Sequence, residues 1–278
     1  MISDIVTDCR ARYRASIHHR DTQEIKSREI HNLLYGEYPS QYDPAIRHFQ
    51  NAKRFRDEAK RIEATYSSVD PDNSSSIPNE DKKKHRAYCL NSIISTACFL
   101  EATINHLYWE MRDDLNRINN GDDPIHYPDA QDYRQNIIRA ERAPPRDRKK
   151  LSKRRGDAGI IGKYNIFLDV NGFDEFDKDT VPAEPVGRVL DIRNELVHFR
   201  PRWIKGGGKG YTENEYGFEA SLKDRFELNP LVPSGNAFFP DQCLSYGCAE
   251  WSARVSKGFV SQFSKRIDLE IHPDITLP

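Results

Sequence analysis

The chain carries no Cys-x-x-Cys pair. Its five cysteines, Cys9, Cys89, Cys98, Cys243 and Cys248, are scattered and odd in number. That pattern argues against a disulfide framework and fits reduced thiols in a cytoplasm. No apolar run approaches the roughly 18 residues that span a bilayer. Met1-Ile2-Ser3-Asp4 lacks the basic and then apolar stretch of a signal peptide. The expectation is a cytoplasmic chain with no membrane partner. Net charge is also missing: 42 Lys and Arg stand against 43 Asp and Glu, a formal charge of -1. Bulk electrostatics therefore gives no drive toward nucleic acid, and any such drive must come from local patches.

The apolar residues, 37% of 278, are concentrated in a few segments with helical spacing. The fold class expected is all-α, a bundle of long amphipathic helices. Residues 1–69 read as a polar helical extension in which Asp43-Pro44 opens a second helix. Residues 70–83, beginning Asp-Pro-Asp-Asn-Ser-Ser-Ser-Ile-Pro, read as a turn-rich linker. Residues 84–270 read as the main domain. Its strongest helix runs from about 84 to 118, with Leu90, Ile93, Ile94, Ala97, Ile104, Leu107, Met111 and Leu115 on a stripe free of Gly and Pro. A shorter helix carries Ile160 to Leu168, another runs from Pro182 to Phe199, and a last one runs from Asp241 to about Leu269. Residues 202–240 read as a loop-rich insert with a short helix near 219–226 and room for a small hairpin. Residues 271–278 read as a tail.

Chemistry concentrates at Arg193-Asn194-Glu195-Leu196-Val197-His198. Arg offers a permanent charge on a planar fork that suits phosphate oxygens. His moves protons near neutral pH. On a helix Asn194 and His198 share a face, and the long Arg193 side chain can swing toward it. Such a set can cleave RNA without a metal or other cofactor. His198 serves as general acid or base, Arg193 holds the phosphate, Asn194 orients the imidazole or binds substrate, and the ribose 2′-hydroxyl is the nucleophile. A pattern Arg-x4-6-His is weak by itself, since Arg14 with His19, Arg12 with His18 and Arg266 with His272 also fit it. None of these has a polar residue directly after the Arg. The bland alternative makes Arg193 a surface charge and His198 a helix-end residue favoured by the dipole.

The block Arg188 to Pro201 resembles the signature helix of the HEPN superfamily, with its Arg-polar-x3-His motif. Phe99 to Tyr108 resembles that superfamily's first core helix, and Lys163 to Leu168 its short second helix. Cys248-Ala249-Glu250-Trp251 with Phe259 and Phe263 resembles the closing helix of bacterial members. The similarity covers about residues 84–270. It implies an up-and-down bundle of four to five helices and a homodimer in which two motifs face one another. It further implies a metal-independent endoribonuclease of bacterial defence or a toxin–antitoxin system, with an antitoxin or other defence protein as partner. Carried over by position, the motif residues are Arg193, Asn194 and His198. Other members are inactive, so a module that binds RNA, a nucleotide or a protein stands as the alternative. A helical scaffold in which Arg193 and His198 are incidental is a third reading.

Glu101 and Asn105 lie four apart within the apolar stripe, where polar groups need partners. A structural hydrogen bond to a neighbouring helix is the favoured reading; support of Arg193 by Glu101 is the other. The basic run holding Lys149, Lys150, Lys153, Arg154 and Arg155, together with Arg200 and Arg202, offers candidate RNA contacts, against the usual reading of a solvated surface. Trp203 can stack a base or pack at the helix end. Gly206-Gly207-Gly208-Lys209-Gly210 lacks the Gly-Lys-Ser/Thr of a phosphate loop and reads as a flexible connector. His18, His19 and His31 join no set of metal ligands.

Overall fold

The computed structural model describes residues 43–127, 130, 132–136, 159–198 and 213–271. The chain is all-α: the described residues contain no strand. Among the described residues, six helices with defined bounds follow in order. They are α1 (Pro44–Thr65), α2 (Asn79–Asn119), α3 (Gly159–Val170), α4 (Ala183–Val197), α5 (Glu213–Leu222) and α6 (Tyr246–Arg266). A single-turn 3-10 element, Pro71–Ser76, precedes α2, and a wide turn, Phe238–Gln242, precedes α6.

Helix α2 is the axis. Its 41 residues include no Gly or Pro, so nothing interrupts a rod about 60 Å long. Glu80 and Asp81 in its first turn and Arg117 in its last complement the helix dipole. Gly121, with φ +88, turns the chain away just beyond its end. Ile93, Ala97, Leu100, Ile104, Leu107 and Met111 recur at three- and four-residue steps and are all buried. The stripe packs on α1, α3, α4 and α6. One core centres on Tyr164, whose ring meets Phe259 at 4.9 Å and Phe263 at 4.8 Å, edge to face. Its hydroxyl donates to Leu100 O at 2.7 Å, so the polar atom of this buried side chain is paired. A second core joins Ile93, Val189, Ile192, Leu244, Cys248 and Trp251.

α1 belongs to this bundle and not to an N-terminal extension. Phe49 packs on Phe99 with centroids 4.9 Å apart, and Ser92 Oγ donates to Ala52 O at 2.9 Å. The Arg56 guanidinium meets Glu250 at 2.7 Å. The order of these contacts sets α1 antiparallel to α2 and α6. The compact unit holding the described helices starts at Pro44, and not within residues 70–83 as expected. That segment instead buries Ser74 and Ile77, with Asp70 accepting from Asp72 N at 3.0 Å to cap its turn.

The remaining boundaries shift for local reasons. α6 starts at Tyr246 and not Asp241, because Ser245 is its cap: the hydroxyl accepts from Cys248 N at 2.9 Å. The short insert helix spans Glu213–Leu222 and not 219–226. α4 ends at Val197, with His198 as its cap residue. Among the described residues α2 alone is long and apolar enough to cross a membrane. Half of its most apolar window is buried inside the bundle, as befits a core helix.

Candidate active site

Helix α4 presents the motif because Val186, Val189 and Ile192 bury one of its sides. Residues one step from Ile192 lie at the edge of that buried face. Arg193 is accordingly half-buried. Its Nε is shielded from solvent and has no hydrogen-bond partner. No ion pair joins Arg193 to another described residue. Its charge is felt by Cys98 on α2. Burial pushes the Cys98 thiol up from its ordinary value; the Arg193 charge opposes that rise and Glu101 adds to it.

Asn194 and His198 both reach solvent. The His198 N–H donates to Asn194 O at 2.8 Å, closing the last turn. This bond holds the two side chains one above the other, as their spacing requires. The other arginine of this helix is occupied: Arg188 meets Glu184 at 3.1 Å and Asp191 at 3.2 Å. Glu184 is in turn held by Arg225 at 2.8 Å. Arg193 is thus the α4 cation without a carboxylate among the described residues.

Glu101 and Asn105 behave as structural partners of a neighbouring helix. Lys163 of α3 places Nζ 2.8 Å from Glu101 Oε1 and 3.1 Å from Asn105 Oδ1. The direct support of Arg193 by Glu101 is not formed, since the Glu101 carboxylate turns to the ammonium. The Arg193 charge is felt at Cys98, and Glu101, which holds Lys163, lies three residues further along α2.

Lys163 is the site residue that sequence reasoning passed over. It lies 62 positions from Glu101, and no local pattern joins them. The only signal was the need of Glu101 and Asn105 for a cationic partner. Lys149, Lys150, Lys153, Arg154, Arg155, Arg200, Arg202, Trp203, the glycine run at 206–210, and His18, His19 and His31 lie outside the described residues. Among the described residues no three His, Cys, Asp or Glu side chains are grouped to hold a metal ion.

Compared with protein-family models, characterised proteins and solved structures, the chain has no match.

Proposed function

We propose that this protein is an endoribonuclease that cleaves RNA without a metal, by attack of the ribose 2′-hydroxyl on the adjacent phosphate. The observation that carries the reading is the state of Arg193: a half-buried guanidinium with an unpartnered, buried Nε and no carboxylate among the described residues. A permanent cation held this way is set to receive an anion with little competition from water. In the reaction Arg193 binds the phosphate and the charge that grows on it. His198 takes the 2′-hydroxyl proton or delivers one to the departing 5′-oxygen. Asn194, on the same face, orients the imidazole.

One protomer supplies one imidazole, and the reaction uses both a base and an acid. Val197, 53% exposed between Asn194 and His198, is an apolar surface that suits a second copy. The reading therefore includes a homodimer with two facing motifs in a HEPN-like bundle. It places the protein in the cytoplasm, in bacterial defence or a toxin–antitoxin pair. A second reading rests on the exposure of His198 and Asn194. No described contact joins them to Arg193, which also fits a non-catalytic module that binds RNA, a nucleotide or a protein.

The test is incubation of the purified protein with total RNA and a chelator, beside Arg193→Ala and His198→Ala. Cleavage that survives chelation and falls by about 10²–10⁴-fold in His198→Ala supports the enzyme. Equal cutting by both variants sinks it.

A further inference from the structure

The side of α2 that carries Cys98 continues past the motif. Residues 98, 102, 105 and 109 fall within a narrow arc of the helix. Cys98 lies within reach of the Arg193 charge, and Asn105 accepts from Lys163 at 3.1 Å. The next position on the arc is Trp109, an indole 56% exposed to solvent. It lies eleven positions from Cys98, about 16 Å along the axis.

Two features distinguish Trp109 from an isolated surface aromatic. First, its ring is held in place. His106 lies parallel to it at 6.0 Å, and His126 meets it edge-on at 5.7 Å. Both imidazoles face Glu110, His106 Nδ1 at 3.7 Å and His126 Nδ1 at 3.5 Å, and His126 Nε2 is 3.1 Å from Asp113. Tyr127 OH donates to Glu110 at 3.1 Å. These bonds occupy the two carboxylates beside the ring. Second, Lys163, which is bonded to Asn105 one turn before the ring, has a hydrogen left to give among the described residues. An ammonium has three donors; Glu101 and Asn105 take two of those of Lys163.

We propose that this side of α2 is a track for one single-stranded stretch of RNA leaving the Arg193 phosphate. Lys163 grips a further backbone phosphate with its third N–H, and a base stacks on Trp109. Cationic groups interleaved with a solvent-facing aromatic are the recurring means of holding single strands without reading their sequence. The inference rests on the ribonuclease reading and adds a second and a third contact to it.

The experiment measures binding of the full-length protein to a labelled 2′-O-methyl oligonucleotide, which lacks the attacking hydroxyl and stays intact. Trp109→Ala is expected to weaken binding roughly 5- to 150-fold, the range for loss of one stacked base. Trp109→Phe, which keeps a ring, retains most of the affinity. An abasic site at one position of the oligonucleotide weakens the wild type in the same way and adds nothing in Trp109→Ala. Lys163→Gln lowers the slope of log affinity against log salt by about 0.7, one single-strand phosphate contact. Wild-type affinity and slope in Trp109→Ala and Lys163→Gln, with weakened binding in Arg193→Ala, overturn the track and leave the nuclease reading standing. Absence of RNA binding by the wild type overturns both.

Discussion

Lys163 Nζ stands 2.8 Å from Glu101 Oε1, and this pairing takes up the α2 carboxylate that sequence reasoning offered to Arg193. Arg193 is left with a buried Nε that has no hydrogen-bond partner. Had Glu101 bonded Arg193, the guanidinium would be neutralised before any phosphate arrived. The division of labour yields a prediction. Glu101 and Lys163 are both partly exposed, so Glu101→Gln changes stability by less than about 1 kcal/mol. RNA affinity at low salt is expected to rise, because a negative charge beside Lys163 is removed. Urea unfolding and oligonucleotide titration check the two halves.

The loop after α2 is tied down by a single buried carboxylate. Asp114 accepts from the N–H groups of Ile125 at 2.8 Å, His126 at 3.0 Å and Tyr127 at 2.9 Å, and meets Arg134 at 3.3 Å. Burial works to raise its pKa. The three backbone donors and the His126 charge outweigh that and hold it below the ordinary carboxylate value. A carboxylate depressed in the folded state adds stability above its unfolded pKa and loses it as the pH falls through the folded one. Melting temperature should therefore drop on acidification below the ordinary aspartate range, and Asp114→Asn should flatten that drop. Asp114→Ala, which removes the carboxylate facing buried Arg134 and the acceptor of three backbone N–H groups, is expected to cost about 3–5 kcal/mol.

Gly247 marks where α6 meets the preceding segment. A Cβ there would lie 2.6 Å from Glu227 O and 2.9 Å from Glu227 N. Ser245 Oγ already donates to that same Glu227 O at 2.6 Å, so the segment has little freedom to retreat. Gly247→Ala should destabilise by about 1–3 kcal/mol through overpacking. Gly258→Ala on the same helix, with nothing within 4 Å, should not destabilise. Denaturant midpoints of the two variants decide it.

Particular residues show how far the sequence carries. The α2 stripe is legible because Ile93, Leu100, Ile104, Leu107 and Met111 are large and evenly spaced. Membership of α1 in the bundle is not, because three of its four buried residues are alanines: Ala45, Ala52 and Ala59 beside Phe49. Small residues permit close helix approach yet leave little apolar signal. Asp70 to Pro78 reads as a linker by its turn formers, but its buried Ser74 and Ile77 are fixed by tertiary packing. The α6 start is misplaced because Ser245, whose hydroxyl accepts from Cys248 N, lies within the stretch from Asp241 read as helical. At the candidate site, the shared face of Asn194 and His198 can be read from their spacing. The Lys163–Glu101 pair and the ring contacts of Trp109 with His126 depend on how distant segments meet.

The most direct measurement is the chemistry of the cut ends. Attack by the 2′-hydroxyl with proton transfer through His198 leaves a 2′,3′-cyclic phosphate on one fragment and a 5′-hydroxyl on the other. Mass spectrometry of fragments made in the presence of chelator should show these ends, and Arg193→Ala and His198→Ala should not yield them. Fragments ending in 3′-hydroxyl and 5′-phosphate, or cyclic phosphates formed equally by the His198→Ala protein, would contradict the account.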